Sequence, residues 1–205
     1  MCIRDRVGNR AVGDRVTEVL DDDQLACAAL LTLCGPFTPM LFQGEEWAAS
    51  TPFQFFTSHP EEELGRATAE GRISEFARHG WDPDAVPDPQ DPATYERSQL
   101  DWSETESDRG RRMLAVYREL ARLRREHPEL TDPSFAHVAC RADEAARFFT
   151  MQRGELLVLV NFGDQPMAAE VGVSELLFET VSGVDVGGGV VRLPAHAGAL
   201  VRRRA

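Results

Sequence analysis

The side chains best placed to do chemistry follow a short apolar run from Pro39 to Phe42. Gly44 lets the backbone turn after this run, and the carboxylates of Glu45 and Glu46 and the indole of Trp47 come next. Carboxylates can bind ligand hydroxyls or transfer protons, and an indole offers a flat apolar face. Two interpretations stay open: a ligand-contacting cluster at the end of a buried strand, or an ordinary helix–strand connection whose acids face water.

A long polar stretch, from about Ala48 to Trp102, follows this cluster and is rich in proline, aspartate and aromatic residues. Long loops in compact proteins are usually functional or disordered, and disordered segments contain few aromatic residues. Flat aromatic faces can cover the C–H faces of pyranose rings, while carboxylates, amides and arginines bind sugar hydroxyls. The aromatic residues therefore either form a sugar-binding surface or hold a long loop onto the fold; they are Phe53, Phe55, Phe56, Trp81 and Tyr95.

Helical patterns flank these candidate residues on both sides. Leu25 to Cys34 is apolar on almost every side, and Asp21 to Asp23 can cap its amino terminus. Apolar residues repeat at helical spacing from Met113 to Leu123, which predicts an amphipathic helix. Pro39 to Phe42 has the length of one buried strand, as in a parallel sheet or barrel whose functional groups follow the strand ends.

The carboxy-terminal part changes to the pattern of strands. Short β-branched or aromatic runs alternate there with Gly, Asp and Pro, and Arg153-Gly154-Glu155 predicts a hairpin turn. The predicted strands are Arg147 to Gln152, Leu156 to Phe162, Leu176 to Val181 and Val190 to Arg203.

Three motifs together resemble a known family. The segment Pro39-Met40-Leu41-Phe42-Gln43-Gly44-Glu45-Glu46-Trp47 resembles the eighth barrel strand and following loop of the α-amylase superfamily of glycoside hydrolases. Ser50 to His59 and Val86 to Trp102 resemble the corresponding loops of malto-oligosyltrehalose trehalohydrolase. The resemblance covers nearly the whole chain, from about Val7 onward.

The resemblance implies a fold class of α/β plus all-β. Residues 1–130 would be the carboxy-terminal part of a (β/α)8 TIM barrel, with residues 48–102 as a long loop, and residues 131–205 a small antiparallel β-sandwich. Residues 1–6 join the pattern abruptly, and we expect them to be an assembly artefact.

The resemblance also implies an activity. Such enzymes release trehalose from maltooligosyl trehalose by retaining hydrolysis of an α-1,4 bond, so an α-glucan is the expected partner. Retaining hydrolysis needs a nucleophile carboxylate and an acid/base carboxylate about 5 Å apart. In the family both carboxylates lie upstream of the matched part. We therefore expect this chain alone to be inactive and the missing amino-terminal barrel portion to be its second partner.

Candidate site residues follow from the same resemblance. Asp5 falls on the slot of the carboxylate that steadies the transition state, although Arg4 stands where the family has histidine. The residues expected to bind substrate are Glu45, Glu46, Trp47, Phe55, Asp88, Gln90 and Arg97. For Glu45 and Glu46, with Trp47 beside them, holding neighbouring loops in place is the alternative.

Composition and motifs argue against several other classes. The net charge of −12, with no clustered basic residues, disfavours a nucleic-acid partner. No run is long and apolar enough to predict a membrane span, and no histidine spacing or dinucleotide fingerprint predicts a metal or cofactor. Four cysteines without a pairing pattern indicate free thiols in a reducing cytoplasm.

Two alternatives to the trehalohydrolase stay open. Ser98 to Trp102, followed by a helix that ends at His127-Pro128, is also similar to glucan branching enzymes, although the loop from Pro87 to Tyr95 disfavours that family. A non-catalytic glucan-binding module is the alternative outside the enzymes. It predicts that the chain alone binds maltooligosaccharides.

Overall fold

The computed structural model describes residues 10–203, so Asp5 and the predicted artefact at residues 1–6 lie outside the described residues. The chain divides into two compact units. The first runs to Leu20 and resumes from Phe42 to Ser107, and the second comprises Asp21–Leu41 and continues from Asp108. This division does not follow the boundary expected at residue 130, and the two domains inferred from the resemblance stay a prediction.

Helices and strands occupy separate parts of the chain. The helices are α1 (Asp22–Cys34), α2 (Glu62–Arg78), α3 (Pro92–Arg97), α4 (Asp108–Glu126) and α5 (Pro128–Thr131). The strands are β1 (Val138–Asp143), β2 (Phe148–Arg153), β3 (Leu156–Asn161), β4 (Met167–Glu170), β5 (Val173–Glu179), β6 (Asp185–Gly187), β7 (Val190–Leu193) and β8 (Ala197–Arg203).

Two antiparallel sheets form the carboxy-terminal part of the second unit. One has the strand order β1-β2-β3-β8-β5 and the other β4-β7-β6. The sheets share one apolar core, to which β3 and β8 contribute Leu157, Leu159 and Val201 and β7 contributes Val191 and Leu193. All six residues of β3 are buried, which explains the apolar run from Leu156 to Val160. The predicted antiparallel sheets are therefore confirmed.

Turn chemistry sets the ends of these strands. Gly154 adopts φ +58° between β2 and β3, as the predicted hairpin turn requires. The run from Val190 to Arg203 was predicted as one strand and this was wrong, because Pro194 and His196 separate β7 from β8. His196 adopts φ +48°, which an extended strand cannot contain.

Helix α1 packs directly on β8. A Cβ atom at Gly198 would lie only 2.7 Å from Leu30 Cδ2, so the glycine permits this close approach. Cys27 Sγ donates to the carbonyl of His196 at 3.3 Å, which joins the helix to the turn before β8. The amino terminus of α1 is capped by Asp21, whose side chain accepts from the backbone of Gln24, as predicted.

The carboxyl end of α1 is held by two arginine side chains. The helix ends at Gly35 in an extended conformation, so a left-handed cap does not satisfy its last carbonyls. Arg124 of α4 donates to the carbonyls of Leu33 at 2.5 Å and Gly35 at 3.0 Å. Arg153 of β2 donates to the carbonyl of Cys34 at 3.1 Å. Helix, neighbouring helix and sheet therefore meet at one set of hydrogen bonds.

Arg153 also binds the chain after α4. Its Nη2 donates to the carbonyls of Glu129 at 2.7 Å and Asp132 at 2.8 Å. The residue is only 2% exposed, and this burial, with the nearby charge of Arg124, lowers the pKa of its guanidinium. The bonds to neutral carbonyls compensate part of the cost of removing the guanidinium from water.

The predicted strand from Pro39 to Phe42 is not formed. These residues have no regular structure, and Met40 and Leu41 are exposed. A strand needs a neighbour to bond its backbone, and no parallel partner occurs among the described strands, all of which pair antiparallel.

We predict that Arg153→Met lowers the free energy of unfolding by about 3 kcal/mol, because it leaves three carbonyls without their donor. Urea denaturation followed by circular dichroism would measure the loss. Arg147→Met is the matched control, since the exposed Arg147 side chain forms a surface ion pair with Asp164; it should change the value by less than about 0.5 kcal/mol. Equal losses in both variants would contradict the role of Arg153.

We predict that the cysteines differ in reactivity. Burial raises the pKa of Cys27 to about 11 and that of Cys34 to about 12, whereas Cys140 is exposed. Because only the thiolate is a nucleophile, iodoacetamide at about pH 8 should alkylate Cys140 and spare the two buried thiols until the chain is unfolded. Peptide mass spectrometry would measure this, and equal modification of Cys27 and Cys140 would contradict it.

The same two pKa values predict how stability depends on pH. Both folded thiols hold their protons above the ordinary value of 9.0, so the unfolded chain binds fewer protons in alkaline solution. Their contribution to stability is therefore complete below about pH 9 and is lost as the pH rises through about 11 for Cys27 and about 12 for Cys34.

Candidate functional site

Arg15 anchors the loop that carries the first cluster of candidate residues. The residue is 3% exposed, its Nε donates to the carbonyl of Thr51, and its Nη1 donates to the carbonyl of Gln43 at 2.9 Å. Its guanidinium carbon lies 5.6 Å from the ring centre of Phe42. Burial lowers the pKa of Arg15, and the charge of nearby Glu104 opposes that shift.

Glu45, Glu46 and Trp47 form one turn of 3-10 helix in this loop. Gly44 adopts φ +84° before it, which confirms the predicted turn. The Glu45 carboxylate accepts from the backbone N–H of Phe42 at 2.9 Å. Trp47 is 3% exposed, and its ring centre lies 4.9 Å from that of Trp102. Glu45 and Trp47 thus stabilise the loop, and substrate binding by these three residues stays a prediction.

A row of aromatic rings leads from this loop to the surface of the first unit. Ring centres are separated by 4.9 Å between Phe42 and Phe53, 6.0 Å between Phe53 and Phe56, and 5.2 Å between Phe56 and Tyr95. Each pair meets edge to face, the arrangement that aromatic quadrupoles favour. The outer two rings are exposed, Phe56 by 37% and Tyr95 by 50%.

These two exposed rings border a cleft of about 470 Å³. One wall is formed by Phe56, Thr57 and Ser58, and the other by residues 89–92 and Tyr95. The volume lies within the range of about 300–1,000 Å³ that is typical of small-molecule sites.

Gln90 fastens the two walls of the cleft together. Its Oε1 accepts from the backbone N–H of His59 at 3.1 Å, and its Nε2 donates to the hydroxyl of Thr57. The backbone N–H of Thr57 donates to the carbonyl of Pro89 at 2.8 Å. Asp88 supports the second wall, because its carboxylate accepts from the backbone N–H of Gln90 at 2.8 Å.

The other predicted site residues lie away from the lining of the cleft. The guanidinium carbon of Arg72 lies 5.0 Å from the ring centre of Phe55, which therefore helps to hold α2. Arg97 is exposed, and its Nε donates to Gln54 Oε1 at 3.4 Å. Of the predicted residues, the structure places Gln90 in the lining of the cleft, and Asp88 supports the wall beside it without lining the cleft.

Sequence reasoning did not select Phe56 and Tyr95 as site residues, although it placed both in the aromatic set of the loop. Phe55 and Phe56 are adjacent, and the sequence gives no period that tells which ring is exposed. One feature of the sequence could have indicated Tyr95: it follows the motif around Gln90 and lies on the helix that begins at Pro92.

The cleft combines flat apolar faces with hydroxyl, amide and carboxylate groups. This combination suits a pyranose ring, which presents apolar C–H faces and a rim of hydroxyls. Within residues 10–203, no three His, Cys, Asp or Glu side chains are grouped as a metal site. Among the described helices, none has both the length and the apolar character that a membrane crossing needs.

The fold is that of the carboxy-terminal part of an alpha-amylase-like protein. A solved structure from Salmonella typhimurium, assigned as an alpha amylase, superposes with a TM-score of 0.79 at 31% identity, over 96% of this chain and 33% of that one. A trehalulose synthase structure matches the fold with a TM-score of 0.61 at 18% identity, over 96% of this chain and 42% of its own. Residues 133–200 match a domain of unknown function, DUF3459.

The predicted resemblance to malto-oligosyltrehalose trehalohydrolase is confirmed. The chain is 52% identical to the enzyme of that name from a Rhizobium strain, over 97% of this chain and 33% of the relative. It is 45% identical to the one from Mycobacterium tuberculosis, over 98% of this chain and 34% of the relative. The chain thus spans about a third of the length of these relatives.

We predict that Arg15→Met loosens the loop of residues 43–51, because two carbonyls lose their buried donor. A loss of about 2 kcal/mol in local stability corresponds to roughly 30-fold faster amide exchange. Hydrogen exchange measured by mass spectrometry on peptides from this loop would detect it. Arg66→Met, at an exposed position of α2, is the control and should leave exchange in this loop unchanged.

Proposed function

We propose that the chain is part of a glycoside hydrolase that releases trehalose from maltooligosyl trehalose. The observation that carries this proposal is the similarity to enzymes named for that activity, at 45–52% identity over nearly the whole chain. The substrate would be an α-glucan that ends in trehalose. The aromatic cleft of the first unit supports the proposal, because it offers the surface that a glucan needs.

The architecture of the whole enzyme belongs to the same proposal. Residues up to about 130 would complete a (β/α)8 barrel together with the rest of the longer protein, and residues 131–205 would be the closing β-sandwich. Pro39 to Phe42 would then be the eighth strand, paired with strands outside this chain. The apolar side chains of Met40 and Leu41 are exposed in this chain, and the packing inside a complete barrel would cover them, which supports this assignment.

The division of labour follows from what the described residues can do. A retaining hydrolase needs two carboxylates about 5 Å apart at the scissile bond. We assign both to the portion of the longer enzyme outside this chain, and Asp5 keeps its predicted slot as the stabilising carboxylate. The chain would contribute substrate contacts and the loop that Arg15 holds in place. By itself it would be inactive.

Two further expectations complete the proposal. A glucan branching enzyme is the weaker alternative, because the relatives with the highest identities here are named as trehalohydrolases. A non-catalytic glucan-binding module stays a second candidate, since the cleft could bind sugar without chemistry. The cytosol is the proposed location, and the free Cys27 and Cys34 are in keeping with a reducing compartment.

A segment exchange tests the proposed activity. Residues 10–203 would replace the matching segment of the Rhizobium enzyme, and trehalose released from maltooligosyl trehalose would be measured by chromatography. We expect the exchanged enzyme to release trehalose at a rate within about tenfold of the original, and the isolated chain to release none. New α-1,6 branches would indicate the branching enzyme. A folded exchanged enzyme that releases no trehalose would contradict the proposal.

A further inference from the structure

We propose that Phe56 and Tyr95 form a stacking platform for one glucose ring of an α-glucan, and that Gln90 is a positioning residue that fixes the two walls. The identity of the sugar rests on the proposed function, whereas the platform itself rests on the geometry of the cleft.

The two aromatic rings of the platform are exposed to water at the cleft. Folding ordinarily removes aromatic rings from water, yet Phe56 and Tyr95 keep 37% and 50% of their surface exposed on the same cleft. Their planes meet at 71° with centres 5.2 Å apart, so they form a corner. A pyranose ring cannot lie flat on both faces of such a corner. It would stack on one ring and touch the other with its edge.

The cleft also presents polar groups to which a sugar hydroxyl could bind. Among residues 10–203, the hydroxyls of Ser58 and Tyr95 have no hydrogen-bond partner, so both are free for a ligand. One oxygen of the Asp91 carboxylate accepts from the backbone N–H of Ala93 at 2.9 Å, which leaves its second oxygen for a sugar hydroxyl. The lining includes no arginine or histidine. The cleft is therefore suited to a neutral sugar and not to a phosphorylated one.

The amide of Gln90 holds the two walls of the cleft together. From the sequence we interpreted Gln90 as a substrate ligand. In the structure, however, its amide oxygen accepts a hydrogen bond from His59 and its amide nitrogen donates one to Thr57. Helix α2 also restrains it, because a Cβ atom at Gly65 would lie only 3.2 Å from Gln90 Oε1. Gln90 therefore acts through the wall that carries Phe56, and does not need to touch the sugar.

Calorimetric titration of the 205-residue chain with maltoheptaose tests the platform. We expect Tyr95→Ala and Phe56→Ala to raise the Kd by at least tenfold, and Tyr95→Phe, which keeps the ring, to raise it by less than threefold. Phe135→Ala is the control, since Phe135 is a 59% exposed ring of the second unit. Unchanged binding in both alanine variants would overturn the platform.

A double-mutant cycle tests the positioning role. Gln90→Met removes the amide at similar length, and we expect it to weaken binding by about five- to tenfold. Gln90→Glu keeps an acceptor for His59 and can accept from the Thr57 hydroxyl, so it should restore most of the affinity. Combining Gln90→Met with Phe56→Ala should cost little more than Phe56→Ala alone, because Gln90 acts through the wall that carries Phe56. Fully additive losses would show that Gln90 contacts the sugar itself.

The exchanged enzyme separates failure of the platform from failure of the proposed function. If it releases trehalose, Tyr95→Ala should raise the KM by at least tenfold with a smaller change in kcat, whereas an unchanged KM overturns the platform and leaves the function standing. If it releases no trehalose while the isolated chain binds maltoheptaose through Tyr95, the function falls and the platform stands. If the isolated chain binds no maltoheptaose, the platform is judged by the effect of Tyr95→Ala on the KM of the exchanged enzyme.

Discussion

The last carbonyls of helix α1 are the constraint on which the second unit depends. A helix whose last residues, Leu33 and Cys34, are buried and that ends at an extended Gly35 can neither cap itself nor expose its carbonyls to water. Arg124 and Arg153 supply the donors from two other elements, a helix and a strand. A planar guanidinium with five N–H groups can serve several carbonyls at once, which a lysine ammonium cannot do with the same geometry. The register of α4 and the position of β2 relative to α1 are therefore fixed by the same few bonds.

Features that depend on neighbouring residues could be predicted from the sequence. The cap at Asp21 needs only Gln24, and the turn at Gly154 needs only a residue that tolerates positive φ. The buried stripe of α4, which includes Met113 and Leu120, follows from the helical period alone. The sheets were visible as apolar runs, although β1, β4 and β6 were missed. The exposed β1 and the short β4 and β6 bury too few side chains to leave an apolar pattern.

Features that depend on residues far apart could not be predicted. The sequence indicates Arg153 as a turn residue, but its side chain donates a hydrogen bond to the carbonyl of Cys34, 119 positions away. The sequence indicates Gln90 as a sugar ligand, but its amide forms hydrogen bonds with residues 31 and 33 positions away. Phe55 and Phe56 are equivalent in any local pattern, but in the fold Arg72 packs on Phe55 while Phe56 stays exposed. Pro39 to Phe42 has the composition of a strand but lacks a partner among the described residues.

The five-stranded sheet has two edges, and different devices protect them. At one edge, β1 carries the charged side chains of Arg141 and Asp143, and most of the strand faces water. At the other edge, β5 shifts register twice against β8, between Val173 and Glu175 and between Leu176 and Phe178. Charges make a second strand costly to add, and bulges bend the backbone away from a straight template. The sheet is therefore built to resist the edge-to-edge growth that begins aggregation, even though its core strands are among the most apolar in the chain.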